Sequence, residues 1–387
     1  MPEAVIVAAA RTPIGRAFKG SLSTVRADDL AGGVVDAAMT KVPQLDRAEV
    51  VDVMLGAALH AGEQGMNAGR NVAALGGLPD SVPGTTVNRG CGSSLQSIRM
   101  AHQAIATGEG HVFVAAGVES VSRLPNFYDE EAMNPRFLDR SRPDYINDMY
   151  IPMGQTAENV AAKWGLSRRA LDEFALLSQQ RAAAAIDAGF FAREITPVTL
   201  PDGTVVDRDD SPRPQTTLEG LGQLKASFRE DGVVTAGNSC PLNDGAAAVV
   251  VMSDVRAKEL GITPLARIIG SAVTGLEPEL MGVGPIKAIG QLLERHKMDI
   301  KDVDVVELNE AFAAQVLPIC AELGISIEDQ LNPHGGGIAL GHPFGMTGAR
   351  IMTTLINDLQ TLDKQIGIET MCVGGGMGIA MMIERLS

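Results

Sequence analysis

The segment EVVDVMLG at residues 49–56 is similar to the segment DVDVVELN at residues 302–309. Each is a short apolar run rich in valine, a pattern typical of a buried β-strand. The helices and strands predicted after each segment follow in the same order, at an offset of roughly 250 residues. This internal repeat predicts two similar α/β halves that pack against each other.

Apolar strands alternate with amphipathic helices in both halves. Strands are predicted at residues 5–10, 50–55, 111–116, 303–308 and 366–372. Helices are predicted at residues 29–41, 93–107, 285–297 and 347–359. Such an alternation predicts a mostly parallel sheet covered on both faces.

The middle of the chain, residues 119–242, breaks this order. Residues 124–151 are rich in Pro, Asn, Asp and aromatic side chains, and we expect an ordered but irregular excursion there. A long helix at 168–188 is predicted after Ser167 as N-cap and before Gly189. The predicted organisation is a first half at 1–118 plus 243–265, an inserted loop domain at 119–242, and a second half at 266–387.

The composition limits the class of protein. The chain has 387 residues, a formal net charge of −15 and an isoelectric point of about 4.9. Nucleic-acid binders present a basic surface, so this balance argues against that class. Four cysteines do not make a disulfide framework in so long a chain, which predicts a reducing, cytoplasmic location. No signal peptide is predicted, and no apolar stretch approaches the roughly 20 residues that span a bilayer.

Cys91 is the first candidate for chemistry. It lies in TTVNRGCGSSLQSI at residues 85–98, between a β-favouring segment and the helix predicted from Ser93. The helix dipole and free backbone N–H groups are expected to lower the pKa of a thiol placed there. Gly90 and Gly92 allow the sharp turn that presents a nucleophile. Alone, the pattern fits either a nucleophile or a buried structural cysteine.

Cys372 and His342 are the matching features of the second half. Cys372 ends a strand in ETMCVGGGMGIA at 369–380, where backbone N–H groups of the glycine segment suit an oxyanion or a phosphate. A phosphate loop is the weaker interpretation, because no Lys-Ser/Thr ending follows. His342 lies in NPHGGGIALGHPFGMTGAR at 332–350, close to the position that the repeat makes equivalent to Cys91. A thiol and an imidazole are therefore expected at one interface, although a lone histidine is usually structural.

The other histidines and cysteines give weaker signals. No metal site is predicted, because the remaining histidines lack metal-ligand spacing; these are His60, His102, His111, His296 and His334. Cys320 falls at a core-facing position of a predicted helix, where we expect it to pack. Cys240 lies in a loop before a strand, and the pattern alone does not place it.

Four motifs, in order along the chain, resemble those of the thiolases. They are Asn-Arg-Gly-Cys-Gly-Ser-Ser at 88–94, Asn-Glu-Ala-Phe-Ala at 309–313, Gly-His-Pro at 341–343 with Thr-Gly-Ala-Arg at 347–350, and Cys-Val-Gly-Gly-Gly at 372–376. The resemblance runs nearly end to end. It implies the thiolase-like α/β fold, in which two similar βαβαβαββ halves form a five-layered α-β-α-β-α arrangement with an inserted loop domain.

The resemblance also implies a catalytic set. Cys91 is expected to be the nucleophile that becomes acylated, His342 the base that activates it, and Cys372 the acid/base at the substrate α-carbon. Asn309 is expected to position a water that forms one oxyanion hole with His342. The backbone N–H groups of Cys91 and Gly374 are expected to form the second.

Coenzyme A (CoA) is implied as co-substrate, with no permanently bound cofactor and no metal. Arg213 matches a family position that contacts the adenosine end, and Met281 and Phe312 match residues of the pantetheine tunnel. Without the resemblance, the arginine fits a solvated charge and the other two fit core packing. Cys240 stands where thiolases usually have a serine on the pantetheine arm, so we expect that hydrogen bond to be weakened or replaced.

Two further positions bear on substrate preference. His334 stands where an asparagine is common in thiolases, in the loop that leads to His342. Pro152 stands where short-chain biosynthetic thiolases tend to carry histidine, which favours the degradative branch.

The function implied by the resemblance is that of a 3-ketoacyl-CoA thiolase, an acetyl-CoA C-acyltransferase of fatty acid β-oxidation or a related degradation. The nearest alternative is a short-chain acetoacetyl-CoA thiolase acting in synthesis. A condensing enzyme of the ketoacyl-carrier-protein type fits less well, because its Cys-His-His set does not match Asn309 and Cys372. A non-catalytic acyl-CoA- or lipid-binding relative is disfavoured because all four catalytic positions are intact.

The implied partners are acyl-CoA substrates and further copies of the chain, in a homodimer or homotetramer. Tetramer contacts would be expected in the 124–151 excursion. Some bacterial relatives also assemble with a hydratase/dehydrogenase chain. Neither nucleic acid nor a membrane span is expected.

Overall fold

The computed structural model describes residues 2–124, 131 and 133–387, which form a mixed α/β fold. The strands are β1 (Ala4–Arg11), β2 (Gly15–Arg16), β3 (Asp52–Ala57), β4 (Gly84–Val87), β5 (Val112–Ser120), β6 (Val198–Thr199), β7 (Val205–Val206), β8 (Asn243–Ser253), β9 (Ala266–Gly275), β10 (Val305–Leu308), β11 (Ile366–Val373) and β12 (Met377–Arg385). The helices are α1 (Ala27–Thr40), α2 (Ala68–Leu75), α3 (Ser93–Thr107), α4 (Met153–Lys163), α5 (Arg168–Asp187), α6 (Leu218–Gly222), α7 (Asp254–Leu260), α8 (Gly284–His296), α9 (Ala313–Leu323), α10 (Gly337–Leu340) and α11 (Thr347–Thr361).

The long strands form one hydrogen-bonded sheet in the order β10-β11-β12-β9-β1-β8-β5-β3-β4. Parallel pairing joins β4, β3 and β5 in the first half and β10 and β11 in the second. The prediction of a mostly parallel sheet is therefore wrong, because most strand pairs of this sheet are antiparallel. Strand β12 returns from β11 through a tight turn, and a tight turn permits only antiparallel pairing; β8, β1 and β9 also pair antiparallel.

Two buried helices lie between the two halves of the sheet. Helices α3 and α11 contact each other, and their apolar side chains share one core with the inner faces of the strands. Helices α1 and α2 cover the outer face of the first half, and α8 and α9 cover the outer face of the second. The layers follow the order α-β-α-β-α, which confirms the predicted thiolase-like fold.

Most predicted elements agree with the structure to within a few residues. Helix α5 begins after Ser167, whose Oγ accepts a hydrogen bond from the Ala170 N–H. The strand predicted at 50–55 begins only at Asp52, because Arg47–Glu49 form a 3₁₀ turn that is capped by the side chain of Asp46.

Residues 119–242 contain α4, α5, α6 and the short β6–β7 pair. Within the expected irregular excursion, residues 125–130 and 132 lie outside the described part of the chain. In the described remainder of that excursion, Pro135–Phe137 form a 3₁₀ turn. None of the described helices is both long enough and apolar enough to cross a membrane.

Candidate active site

A cavity of about 350 Å³ brings together three of the predicted catalytic residues, Cys91, His342 and Cys372. Cys91 precedes α3, His342 precedes α11, and Cys372 lies at the end of β11. Related strand–loop–helix elements of the two halves thus meet at one cavity, as the internal repeat predicts. The rest of the described wall is mostly apolar and consists of Pro152, Met153, Gly154, Phe228, Ser239, Cys240, Leu242, Met281, Ala311, Phe312 and Phe344.

Cys91 lies in the turn between β4 and α3. Gly90 adopts φ +48°, in the left-handed region that disfavours a side chain. A Cβ added at Gly92 would come within 2.9 Å of the Val373 side chain. The backbone N–H of Gly374 donates a hydrogen bond to the Cys91 sulfur. The thiol is therefore held against the turn that follows β11.

The expectation that the helix N-terminus lowers the pKa of Cys91 is wrong. Burial raises the pKa of this thiol, and the nearby Cys372, Cys240 and Glu119 raise it further, whereas the Gly374 N–H lowers it. Loss of hydration disfavours the charged form of a thiol and outweighs the one hydrogen bond. Cys91 is therefore a neutral thiol at rest, and it needs a base before it can attack.

His342 is held by polar contacts on several sides. Its backbone N–H donates to Asn243 Oδ1 at 3.0 Å, and its Nδ1 lies 2.7 Å from Thr347 Oγ1. The Asn309 Nδ2 lies 3.3 Å from the His342 Nε2. Burial, and then Arg350, lower the pKa of His342 to about 3. The imidazole is therefore neutral at rest, with a lone pair on one of its ring nitrogens.

Cys372 is buried beside the side-chain amide of Gln315. The Gln315 Nε2 lies 3.1 Å from the Cys372 sulfur, and the Gln315 Oε1 lies 3.3 Å from it. Burial raises the pKa of Cys372 to about 11, against the opposing effect of the Gln315 hydrogen bond. This second thiol is also neutral at rest, and it can donate a proton.

The glycine segment after Cys372 is a hairpin turn. Val373 pairs directly with Met377 across the turn, so β11 leads into β12 and not into a helix. The phosphate-loop interpretation is therefore wrong, since such a loop opens a helix. The turn instead directs the Gly374 N–H towards Cys91.

Asn309 follows β10. It contacts the His342 ring but does not itself line the cavity. Its backbone N–H donates to the Thr370 carbonyl, and its side-chain Nδ2 faces His342. Its Oδ1 is buried and has no hydrogen-bond partner among the described residues. A buried carbonyl oxygen without a partner is costly, so this atom is a candidate to bind a water or a substrate group.

The four residues expected at the CoA site do not all lie together. Met281, Phe312 and Cys240 line the main cavity. Arg213 does not; it lines a small neighbouring cavity of about 50 Å³. Ser239 contributes to both cavities, which makes them neighbours. Cys240 also donates its backbone N–H to the Ala311 carbonyl at 2.9 Å, and burial raises the pKa of its thiol to about 12.

His334 and Cys320 lie outside the cavity wall. His334 places its Nδ1 2.5 Å from Asp358 Oδ1 and stacks on the Phe190 ring at 3.7 Å between centroids. The contact with Asp358 therefore holds the loop that contains His334 against α11. Cys320 is buried on α9 and packs, as predicted. No group of three His, Cys, Asp or Glu side chains in the described chain could hold a metal ion.

Sequence reasoning missed several residues that contact this set. Gln315 bonds to Cys372, Thr347 bonds to the His342 ring, and Asn243 holds the His342 backbone. Thr347 belongs to the Thr-Gly-Ala-Arg motif at 347–350, so the sequence did contain a signal for this residue. Gln315 and Asn243 are far in sequence from their partners, and no local pattern marks such contacts.

The family comparison covers almost the whole chain. The thiolase N-terminal domain matches residues 4–255, and the thiolase C-terminal domain matches residues 262–385. A β-ketoadipyl-CoA thiolase of Acinetobacter baylyi is 45% identical over 406 residues, which cover 100% of both chains. A 3-ketoacyl-CoA thiolase of Bacillus subtilis is 43% identical and covers 99% of this chain and 100% of its own.

A solved structure has the same fold. The crystal structure of the Bacillus anthracis acetyl-CoA acetyltransferase superimposes with a TM-score of 0.91 at 41% identity. The match covers 100% of this chain and 99% of that one.

Proposed function

The chain belongs to the thiolase family and is an acyltransferase, and we propose that it cleaves 3-ketoacyl-CoA with CoA through an acyl-enzyme on Cys91. The products would be acetyl-CoA and a shortened acyl-CoA. The observation that carries the proposal is the meeting of two thiols and one neutral imidazole, those of Cys91, Cys372 and His342, in a single cavity.

The first step would form the acyl-enzyme. His342 Nε2 accepts the proton of the Cys91 thiol, and the sulfur attacks the keto carbon of the substrate. The bond between that carbon and the α-carbon then breaks, and its electron pair passes to the thioester as an enolate. A base is required because the pKa of Cys91 is raised, and thiolate is the nucleophilic form.

The second thiol, that of Cys372, would transfer the proton at the substrate α-carbon. Cys372 gives its proton to the enolate carbon, and acetyl-CoA leaves. The Cys372 thiolate next takes the proton of an incoming CoA thiol, and the CoA thiolate attacks the acyl carbon. The departing Cys91 sulfur recovers its proton from His342. Protons and electrons then balance, and the site returns to its starting state.

Charge that develops on oxygen would be met by two sets of donors. We assign the N–H groups of Cys91 and Gly374 to the oxygen at the attacked carbon, because the Gly374 N–H already points at the Cys91 sulfur. We assign Asn309, through a water, and His342 to the thioester oxygen, because the Asn309 amide faces the ring. Loss of one such donor typically costs about 10²–10³ in rate.

CoA would reach Cys91 along the wall formed by Met281, Phe312 and Cys240. No cofactor would stay bound between turnovers. Arg213, in the neighbouring small cavity, is proposed to meet the adenosine end. Residues 119–242, which supply Cys240 and Arg213, would form an inserted loop domain, with halves at 1–118 plus 243–265 and at 266–387.

The degradative direction is favoured over synthesis by Pro152, which lines the cavity where biosynthetic relatives tend to carry histidine. A short-chain acetoacetyl-CoA thiolase remains the alternative substrate class. Fatty acid β-oxidation is one setting for the reaction, and the names of the relatives make β-ketoadipyl-CoA the competing substrate. We further propose that the protein is cytoplasmic and forms a homodimer or a homotetramer. Each chain would carry four free thiols. A hydratase/dehydrogenase chain is proposed as a further partner.

The proposal is tested by separating acylation from carbon–carbon cleavage. Cys91→Ala should abolish both acylation by acetyl-CoA and thiolysis of a 3-ketoacyl-CoA, while the far-UV circular dichroism stays that of the wild type. Cys372→Ala should still be acylated but should lose thiolysis. Cys320→Ala, a buried cysteine outside the cavity, is the matched control and should keep both. Near-normal thiolysis by Cys91→Ala would refute the assignment.

A further inference from the structure

We infer that the substrates of this enzyme carry an uncharged acyl chain and that substrates ending in a carboxylate are strongly disfavoured. The inference rests on the proposed function and narrows its substrate class. It separates this chain from relatives named for β-ketoadipyl-CoA, because an adipyl chain ends in a carboxylate.

The wall of the cavity offers no charge to such a group. Among the described residues that line it there is no lysine and no arginine. Its polar groups are Ser239, the thiols of Cys91, Cys240 and Cys372, and the His342 ring, which is neutral because its pKa is lowered to about 3. A carboxylate inside the cavity would therefore lose its hydration without gaining an ion pair.

Aromatic packing makes one side of the wall especially apolar. The Phe228 ring meets the Phe312 ring edge to face, with 6.1 Å between centroids. The same Phe228 ring covers Gly154, where an added Cβ would lie 2.2 Å from it. Met153 and Phe344 extend this surface. Such a wall suits methylene and methyl groups of a substrate.

The arginines of the irregular excursion are already paired with carboxylates. Residues 124–151 contain more Asp and Glu than Arg. The pairs are Arg136 with Asp144 at 3.5 Å, Arg140 with Glu279 at 3.1 Å, and Arg142 with Asp144 at 2.9 Å. Residues 125–130 and 132 include no Lys or Arg, so by sequence they add no positive charge.

Two further arginines lie close in sequence to cavity residues but are directed elsewhere. Arg229 follows Phe228, and its guanidinium donates to Gln155 Oε1 at 2.8 Å and Asn159 Oδ1 at 2.7 Å. Arg89 precedes Cys91 by two positions, and its Nε donates to Gln96 Oε1 at 2.8 Å. Neither arginine belongs to the described wall of the cavity. Arg229 lines a neighbouring cavity that shares Pro152 with it, and there the carboxylates of Asp148 and Glu279 accompany the arginines.

The physical consequence is a strong preference for an uncharged acyl chain over one that ends in a carboxylate. An ionised carboxylate moved from water into an apolar site without a partner is penalised far more than a methyl group, which gains by the same transfer. We expect kcat/KM to favour the uncharged chain by about 100-fold or more, because a hydrophobic pocket already rejects an added hydroxyl by about 100-fold.

The test uses two substrates of equal length. The thiolysis rates of 3-oxohexanoyl-CoA and 3-oxoadipyl-CoA, which differ in a terminal methyl against a carboxylate, are measured on the wild-type enzyme. Strong preference for 3-oxohexanoyl-CoA supports the inference. Equal rates, or preference for 3-oxoadipyl-CoA, overturn it and leave the proposed thiolysis intact. Cleavage of neither substrate overturns the proposed function, and the inference with it.

A second arm places a charge in the wall. Met153→Lys should raise the rate ratio of 3-oxoadipyl-CoA to 3-oxohexanoyl-CoA about tenfold or more, because the cation can pair with the carboxylate. Met153→Leu, which alters the same position without charge, should keep the wild-type ratio. An unchanged ratio in a Met153→Lys enzyme that still acylates would count against the inference. If Met153→Lys does not fold, the inference is tested by the wild-type thiolysis rates of the two substrates.

Discussion

The Oγ1 of Thr347 lies 2.7 Å from the Nδ1 of His342 and 2.7 Å from the Pro343 carbonyl oxygen. A hydroxyl has one hydrogen to donate, and the carbonyl can only accept it. Towards His342 the hydroxyl must therefore accept, so the imidazole proton resides on Nδ1. The Nε2 therefore carries the lone pair, and it accepts a hydrogen bond from the Asn309 Nδ2 at 3.3 Å.

Thr347→Val is expected to lower kcat for thiolysis about tenfold or more. The Nδ1–H would lose its acceptor, and the tautomer and ring orientation needed by a general base would be less favoured; such bases contribute about 10²–10⁴ to rate. Thr353→Val is the matched control, because Thr353 lies on the same helix and, among the described residues, its hydroxyl bonds the Ala349 carbonyl alone. Steady-state kinetics of both variants measure the effect, and equal losses would argue against a role for the His342 contact.

Gln315→Met is expected to slow exchange of the acetyl-CoA methyl protons in D₂O about tenfold. Exchange needs the Cys372 thiolate, and the pKa of Cys372 is already raised to about 11 by burial. The Gln315 hydrogen bond lowers that pKa, so its removal raises the pKa and reduces the thiolate at any given pH. The exchange rate should climb with pH from 7 to 10 in both enzymes and be displaced to higher pH in the variant. Acylation of Cys91, measured in parallel, should be nearly unchanged.

Alkylation of Cys91 by iodoacetamide should accelerate about tenfold per pH unit between pH 6 and 9. Burial raises the pKa of this thiol, and below its pKa the thiolate fraction increases tenfold with each pH unit. The adduct on Cys91 is quantified by peptide mass spectrometry at each pH. A plateau below pH 8 would show instead that the helix N-terminus dominates and that the thiol is ionised at rest.

Gly348→Ala is expected to destabilise the fold by about 1–3 kcal/mol, the usual cost of overpacking a core. A Cβ at Gly348 would lie 2.3 Å from the Leu95 backbone nitrogen, where α11 crosses α3 between the two halves. Gly290→Ala is the control, since Gly290 is also helical and has open space at its Cβ position. That variant should be neutral or stabilised by up to about 1 kcal/mol. Urea unfolding of both variants measures the difference.

The sequence predicts the architecture well because the architecture follows from local periodicity. The valine-rich segments at 49–56 and 302–309 became β3 and β10, and the turn around Cys91 leads into α3 at Ser93, as predicted. Strand direction was less predictable. Whether a strand pairs parallel or antiparallel depends on the length of its connection and on its distant neighbour, and β8 reaches its neighbours only after the insertion.

For the candidate site, the sequence alone singled out Cys91, His342 and Cys372 as the residues proposed to carry chemistry, since they stand beside glycines or strand ends that the local pattern reveals. Only the tertiary structure decided what surrounds them. It placed Gln315 and Thr347 against them, left Arg213 in a neighbouring cavity, and raised the pKa of Cys91 where the helix position alone predicted a lower one. The physical reason is that hydration and long-range hydrogen bonds depend on every element packed around a group, whereas sequence pattern describes only its own segment.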